Sequence, residues 1–246
     1  MKKIILHIGK HKTGTTSFQL FLRKSQLELE AHGFYSLPNA LGNRIAAVAI
    51  RNEMPIPPLL DMRKTGMKSL SQVKADIDSF LRGKDIETLI VSCEHFSYFR
   101  EKKEIERLTS NFPLGIEIAV FLVVRDLEDY RISYREHVKT TGHGESDDLE
   151  SPYYLKEDSW LLDDEALIKC WKSQFKNFTL INYEQKGMVR KLAETMQLPH
   201  RTLTKEYQLN TNSPFFKRLK KLIRNLIKTT SFGRTCLRKY RKKIWG

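Results

Sequence analysis

Short apolar runs alternate with segments of helical periodicity along most of the chain. Four apolar runs at residues 4–8, 88–92, 116–124 and 179–182, and a shorter one at 34–36, are typical of strands buried within a sheet. The intervening periodicity predicts helices at residues 17–32, 45–51, 69–83, 101–111, 127–141, 163–175 and 184–197. Strands that alternate with helices predict a three-layer α/β fold, with a central parallel sheet of about four to five strands and helices on both faces.

Two segments interrupt this alternation. Residues 38–66 contain four of the eight prolines, so we expect only one short helix there, over 45–51. This segment is either an insertion on the substrate side or a simple connector. Residues 143–162 are acidic and contain glycine and proline, which predicts a loop or lid.

The first apolar run leads into a loop bounded by Gly9 and Gly14, and helical character begins at about Thr15. A strand, a glycine loop and a helix N-terminus form an anion site, because backbone N–H groups point inward and the helix dipole adds partial positive charge. The alternative is a glycine-containing turn between a strand and a helix that binds no ligand. The ammonium group of Lys12 and the adjacent hydroxyls of Thr15 and Thr16 favour the anion site.

The glycine spacing is that of a nucleotide-triphosphate loop, which continues with lysine and then serine or threonine. Here Thr15 occupies the lysine position, and the nearby ammonium groups, Lys10 and Lys12, lie inside the loop. Lys12 stands at the crown of the loop, where it can meet the bridging oxygen of a shorter 5′ group. This difference argues against an ordinary ATPase or kinase.

Residues 7–16, continuing to Gln19, resemble the 5′-phosphosulfate loop of sulfotransferases that use 3′-phosphoadenosine 5′-phosphosulfate (PAPS), in particular the bacterial sulfotransferase-like branch. The resemblance extends over roughly residues 3–213 and is most specific in this loop. It implies a P-loop fold with PAPS as sulfuryl donor and no metal. The residues that it assigns to donor binding here are Gly9, Lys10, His11, Lys12, Thr13, Gly14, Thr15 and Thr16. Lys10 departs from the family pattern, which has a smaller residue or proline.

Arg125 ends the 116–124 strand, and Ser133 lies eight residues later, about two turns into the next helix. A guanidinium fork and a hydroxyl suit a phosphate monoester. This segment resembles the 3′-phosphate site of sulfotransferases, so the resemblance assigns that phosphate to Arg125 and Ser133. The alternative is an arginine paired with an acidic residue of the helix start, namely Asp126, Glu128 or Asp129.

Sulfuryl transfer requires a base for the acceptor hydroxyl and positive charge for the leaving phosphate, which Lys12 can supply. Glu94 is the first choice for the base, because it follows the 88–92 strand and Ser92-x-Glu94 resembles the position of the catalytic glutamate in carbohydrate-directed sulfotransferases. His95 is the second choice, because imidazole titrates near neutrality. The alternatives are a helix cap or salt bridge for Glu94 and a structural histidine for His95. His11 is a further candidate for contact with the substrate.

The loop at 9–16, the pair Glu94 and His95, and Arg125 all follow strands. Since ligands of parallel sheets bind beyond the carboxyl ends of the strands, we expect these groups at one edge of the sheet. The three cysteines lie far apart, and no His/Cys/Asp cluster has the spacing of metal ligands.

Charge divides the 246-residue chain into two parts. Twelve of the 43 Lys and Arg lie in residues 214–246, which leaves 31 against 29 Asp and Glu in residues 1–213. We therefore expect a sulfotransferase-like α/β domain over 1–213 and a basic amphipathic tail over 214–246. The tail suits an anionic membrane surface or a polyanion, with simple packing on the domain as the alternative, and nucleic acid is the less favoured partner.

No stretch has the length and apolar character of a signal core or a spanning helix, so we expect a cytoplasmic protein that can attach to the inner face of the membrane. The sequence favours a sulfotransferase that acts on a hydroxyl of a carbohydrate or glycolipid. The alternatives are a P-loop kinase for a small molecule and a non-catalytic protein that binds membranes or polyanions.

Overall fold

A computed structural model describes residues 1–66 and 68–199. Its described part contains one parallel sheet of five strands in the order β2-β3-β1-β4-β5. The strands are β1 (Lys3–Gly9), β2 (Phe34–Ser36), β3 (Thr88–Ser92), β4 (Glu117–Val124) and β5 (Asn177–Asn182). The prediction of a central parallel sheet is confirmed.

Nine α-helices surround this sheet in the described part of the chain. They are α1 (Thr15–Lys24), α2 (Gln26–Ala31), α3 (Asn39–Ala49), α4 (Pro57–Thr65), α5 (Leu70–Leu81), α6 (Lys102–Thr109), α7 (Leu127–Thr140), α8 (Asp164–Lys172) and α9 (Met188–Thr195). A short 3₁₀ helix, Glu94–Tyr98, follows β3 directly.

Alternate side chains of the strands face two separate apolar layers, because successive residues of a strand point to opposite faces. On one face, Ile5 of β1 packs with residues of α1, α2 and α9. On the other face, Ile4, Leu6 and Ile8 pack with residues of α3 to α8. The helices therefore cover both faces of the sheet, and the three-layer prediction is confirmed.

Three predicted helices differ from those observed. The 17–32 helix is broken at Ser25 into α1 and α2. The prediction of one short helix over 45–51 is wrong: the segment 38–66 contains α3 and α4, and α4 begins with two prolines whose fixed φ angles suit a first turn. The last helix begins at Met188 rather than near 184, because Gly187 before it has φ 74°, outside the helical region.

The carboxyl ends of all five strands lie at one edge of the sheet, because every pairing between them is parallel. Gly9 lies beside Val123, and the backbone N–H of Lys10 donates to the carbonyl of Val123 at 3.2 Å. On the other side of β1, the N–H of Cys93 donates to the carbonyl of His7 at 3.1 Å. In the sheet, β3 and β2 lie on one side of β1, and β4 and β5 lie on its other side. The strand order therefore reverses its direction at β1, and ligands of parallel sheets bind at the carboxyl end of such a position.

The basic tail predicted over 214–246 lies outside the described residues, as does the boundary at 213. Within the described ranges, no helix has the length and hydropathy needed to cross a membrane.

Candidate functional site

The loop after β1 presents the N-terminus of α1. Gly14 precedes this helix with φ 84°, and no side chain of the described residues caps the helix start. The first N–H groups of a helix have no partner within the helix, so this terminus offers hydrogen-bond donors to an anion. The hydroxyl oxygen of Thr15 is buried there, and none of the described residues hydrogen-bonds to it. These features fit a bound phosphate or sulfonate oxygen.

Gly9 leaves the space that this loop requires. A Cβ atom at Gly9 would lie 2.1 Å from the hydroxyl oxygen of Thr15 and 2.9 Å from that of Thr13. The loop is also closed on itself, because Thr13 donates to the carbonyl of Lys10 from its backbone N–H at 3.2 Å and from its hydroxyl at 2.6 Å. Lys12 at the crown has φ 67°, a left-handed conformation that is uncommon for residues other than glycine.

The structure places Lys10 away from the open side of the loop. Its side chain is buried, and its ammonium group forms an ion pair with Asp164 and donates to the carbonyl of Leu161 at 3.2 Å. The same ammonium nitrogen lies 3.8 Å from the ring centre of Tyr130. Burial lowers the pKa of Lys10, and the carboxylate of Asp164 opposes that shift. Lys10 therefore connects the loop to Asp164 and Leu161, and its ammonium group does not lie with the other predicted donor-binding groups.

Lys12 and Arg125 meet across the loop. The Nη1 atom of Arg125 donates to the backbone carbonyl of Lys12 at 3.3 Å, and its Nη2 atom lies 3.5 Å from a carboxylate oxygen of Asp129. The guanidinium carbon lies 5.0 Å from the ring centre of Tyr183, which follows β5. The Nε atom of Arg125 is buried and has no hydrogen-bond partner among the described residues. This guanidinium group therefore has capacity for a further anionic ligand.

Ser133 lies on α7, two turns from its start, and is partly exposed. The pair of Arg125 and Asp129 that the sequence offered as an alternative is also present. Asp129 is 65% exposed, so the pair is weak and compatible with a phosphate at Arg125.

Glu94 occupies the first position of the 3₁₀ helix after β3, at the same edge as the loop. One of its carboxylate oxygens accepts a hydrogen bond from the side-chain amide of Gln19 on α1, at 3.3 Å. The carboxylate is partly exposed and can meet a substrate.

His11 lies at the centre of a group of rings. Its ring centre is 5.4 Å from that of His95, 5.3 Å from Tyr98, 5.5 Å from Tyr134 and 5.6 Å from His137. Burial lowers the pKa of His11 well below its ordinary range, and the neighbouring charges of His95, His137 and Lys12 add to this. His11 is therefore neutral at pH 7.

His95 belongs to the same group of rings and is only 6% exposed. Burial lowers its pKa, while Glu94 acts in the opposite direction. No described group of three or more His, Cys, Asp and Glu residues is arranged to hold a metal ion.

Sequence reasoning missed three residues that the structure brings to this edge. Gln19 was part of the family resemblance but received no role. His137 is half-buried on α7, one turn after Ser133, so the four-residue spacing is a signal that could have identified it. The ring of Tyr183 lies against the guanidinium group of Arg125. The two residues follow neighbouring strands, β5 and β4, but are far apart in the sequence, so no local pattern indicates this contact.

Comparison with known proteins supports the class of fold. No known family profile and no curated protein sequence matches the chain. Among solved structures, a sulfotransferase from Alicyclobacillus acidocaldarius matches with a TM-score of 0.56 and 13% identity, over 90% of this chain and 91% of that one. A sulfotransferase domain from the curacin biosynthetic pathway matches with a TM-score of 0.45 and 12% identity, over 86% and 81%.

The five-stranded parallel sheet, with the glycine loop at its carboxyl edge, defines an α/β protein. Together with the likeness to the Alicyclobacillus protein, this sheet and loop show that the chain has the sulfotransferase-like fold.

Proposed function

We propose that this protein transfers a sulfuryl group from PAPS to a hydroxyl acceptor. The observation that carries the proposal is the uncapped N-terminus of α1 behind Gly9, with Lys12 and Arg125 joined across the loop. The sulfotransferase-like fold supports the same reaction. A triphosphate is less suitable, because Thr15 stands where a nucleotide-triphosphate loop has its lysine.

The residues present fit the two charged ends of such a donor. The N-terminus of α1 and the buried hydroxyl of Thr15 suit the 5′-phosphosulfate. The buried Nε atom of Arg125 suits the 3′-phosphate, with Ser133 on the following helix as a second ligand. Gly9, His11, Thr13, Gly14 and Thr16 complete the loop, whereas Lys10 holds the loop through Asp164.

The proposed chemistry assigns a step to each of two side chains. When bound, PAPS supplies an activated sulfuryl group. Glu94 accepts the proton of the acceptor hydroxyl while the new O–S bond forms. Lys12 and the N–H groups of α1 stabilise the negative charge that stays on the 5′-phosphate as the old S–O bond breaks. His95 is the second candidate for the base, although its burial and lowered pKa make it a poorer proton acceptor than a partly exposed carboxylate.

The acceptor is proposed to be a carbohydrate or glycolipid. Segment 38–66 supports an acceptor side near Glu94, because α3 packs on the end of β3: a Cβ atom at Gly42 would lie 3.6 Å from the Cβ of Cys93. We further propose that the tail at 214–246 attaches the protein to an anionic membrane surface on the cytoplasmic side, given its twelve Lys and Arg and no Asp or Glu.

Calorimetric binding of 3′-phosphoadenosine 5′-phosphate (PAP), the desulfonated product, tests the donor. We expect binding by the wild type and a 10- to 100-fold loss, as an order of magnitude, in Arg125→Ala and in Lys12→Met. Arg44→Ala is the matched control, because Arg44 forms a surface ion pair with Asp76. A wild type that binds Mg²⁺-ATP but not PAP would overturn the proposal in favour of a kinase.

A further inference from the structure

Gln19 connects three elements of the site. Its side-chain Nε2 atom donates to the backbone carbonyl of Ser92 at 3.1 Å and to the carboxylate of Glu94 at 3.3 Å. Its side-chain oxygen accepts a hydrogen bond from the amide of Asn39 at 3.0 Å. A single side chain of α1 is thus joined to the end of β3 and to the first residue of α3.

These contacts fix the orientation of the Gln19 amide from both ends. A backbone carbonyl and a carboxylate only accept hydrogen bonds, so the NH₂ group must face Ser92 and Glu94. The side-chain amide of Asn39 donates to the other end. A reversed amide would place its oxygen against the carboxylate of Glu94 and lose the hydrogen bonds to Ser92 and Glu94.

The position of Gln19 on α1 relates the two halves of the site. Gln19 lies about one turn after Thr15 and Thr16, whose N–H groups open onto the proposed 5′-phosphosulfate site. The helix that binds the sulfuryl donor therefore also carries the amide that contacts the proposed base. Because one helix is rigid over a turn, this arrangement sets the distance between the carboxylate and the reacting sulfur.

We propose that Gln19 is a positioning residue, which keeps the carboxylate of Glu94 at a fixed distance from the proposed phosphosulfate loop. The proposal rests on the proposed function for the role of Glu94. It does not require Gln19 to touch the substrate. A purely structural role, in which Gln19 only binds the carbonyl of Ser92, predicts that the effect of Gln19→Leu on the rate is the same whether or not Glu94 is present.

The first test uses hydrolysis of PAPS with water as the acceptor, since this reaction needs no identified acceptor. Water provides the oxygen of the new O–S bond, Glu94 takes a proton, and sulfate and PAP are released. We expect Gln19→Leu to lower this rate roughly 10- to 100-fold, because small misplacements of a catalytic group have effects of that size. In a Glu94→Gln background, Gln19→Leu should have no further effect.

The matched control is Gln26→Leu, which removes a similar amide-to-carboxylate contact to Glu30 on the exposed side of α2. This variant should hydrolyse PAPS at the wild-type rate. Additive effects of Gln19→Leu and Glu94→Gln, or a Gln19→Leu rate equal to that of the wild type, would overturn the proposal.

The second test needs no turnover. In ¹⁵N NMR spectra, the side-chain NH₂ signals of Gln19 should shift and exchange faster with solvent in Glu94→Gln, while those of Gln26 stay unchanged. Signals of Gln19 that do not respond to Glu94→Gln would contradict the proposed contact even if hydrolysis is too slow to follow.

Binding of PAP distinguishes failure of the proposed function from failure of the Gln19 proposal. We expect the PAP affinity of Gln19→Leu to stay within about threefold of the wild-type affinity. Failure of the wild type to bind PAP rejects the proposed function, whereas the NMR result judges the contact itself.

Discussion

The buried ammonium group of Lys10 forms an ion pair with Asp164, across 154 residues of sequence. Asp164 is the first residue of α8, directly after the long loop at 143–162. Lys10 also lies on the face of Tyr130 from α7. The loop after β1 is therefore anchored to α7 and α8 through the side chain of Lys10.

Replacing Asp164 should lower the free energy of unfolding more than replacing Lys10. Asp164→Asn leaves a buried ammonium group without a counter-charge, which we expect to lower the free energy of unfolding by about 3 kcal/mol. Lys10→Met leaves a carboxylate that is 24% exposed and can reach water, so its cost should be smaller. Chemical denaturation monitored by circular dichroism measures both values. An equal or reversed order would contradict this account.

The anchoring role also predicts a link between Lys10 and nucleotide binding. Lys10→Met should weaken PAP binding about tenfold under conditions where the variant is folded, because the loop loses its ion pair with Asp164. The control is Glu104→Gln, which disrupts a buried ion pair with Arg51 that includes no residue of the 9–16 loop. Calorimetry should find PAP affinity unchanged in that control despite its lower stability.

Gly9→Ala should disrupt the loop directly. The added methyl group would lie 2.1 Å from the hydroxyl oxygen of Thr15, a distance that forces the loop to move. We expect a stability loss of about 1–3 kcal/mol and PAP affinity reduced at least about tenfold. Gly144→Ala is the matched control, since a methyl group at Gly144 meets no atom within 4 Å. Wild-type PAP affinity in Gly9→Ala would show that the loop does not hold the 5′ group.

Asp129→Asn should strengthen PAP binding. Asp129 lies 3.5 Å from the Nη2 atom of Arg125, and its charge opposes a phosphate at the same guanidinium group. We expect an affinity gain of about two- to fivefold at low ionic strength that diminishes with added salt. Glu128→Gln provides the comparison, because Glu128 pairs with Arg131 at 3.0 Å. Calorimetry at two salt concentrations distinguishes the variants, and no gain in Asp129→Asn would weaken the assignment of Arg125 to a phosphate.

Acid should destabilise the protein through His7. His7 is fully buried, and burial lowers its pKa to about 3. Below about pH 6.5 the unfolded chain binds a proton at His7 that the folded chain does not bind, so the stability present above that pH is lost as the pH falls toward 3. His11 and His95 act in the same direction, because their pKa values are also lowered by burial.

Denaturation at pH 7.5 and pH 5.5 measures this effect. The loss of stability between the two values should be smaller in His7→Gln than in the wild type by about 1 kcal/mol. His32→Gln, at an exposed position after α2, should leave the loss unchanged. An identical pH response in His7→Gln would show that another group accounts for the acid sensitivity.

Much of the fold was predictable because its signals are local. The strands β1, β3 and β4 each contain a continuous apolar run, Ile4–Leu6, Leu89–Val91 and Ile118–Val124, since helices cover both faces of a parallel sheet. The helix predicted from residue 69 also begins at a local signal, because the hydroxyl of Ser69 accepts a hydrogen bond from the N–H of Gln72 three residues later. The placement of the glycine loop, Glu94 and Arg125 at one edge follows from the topology rule alone.

The sequence by itself determined the layers, the glycine loop and the residue types at the strand ends, because each depends on neighbours within a few positions. Only the tertiary structure decided that Lys10 turns toward Asp164, that Gln19 contacts Glu94 and that His137 lies against His11. These partners are 75 to 154 residues apart. The direction of a loop side chain depends on which distant element provides its counter-charge or hydrogen-bond partner, and periodicity along the chain does not contain that information.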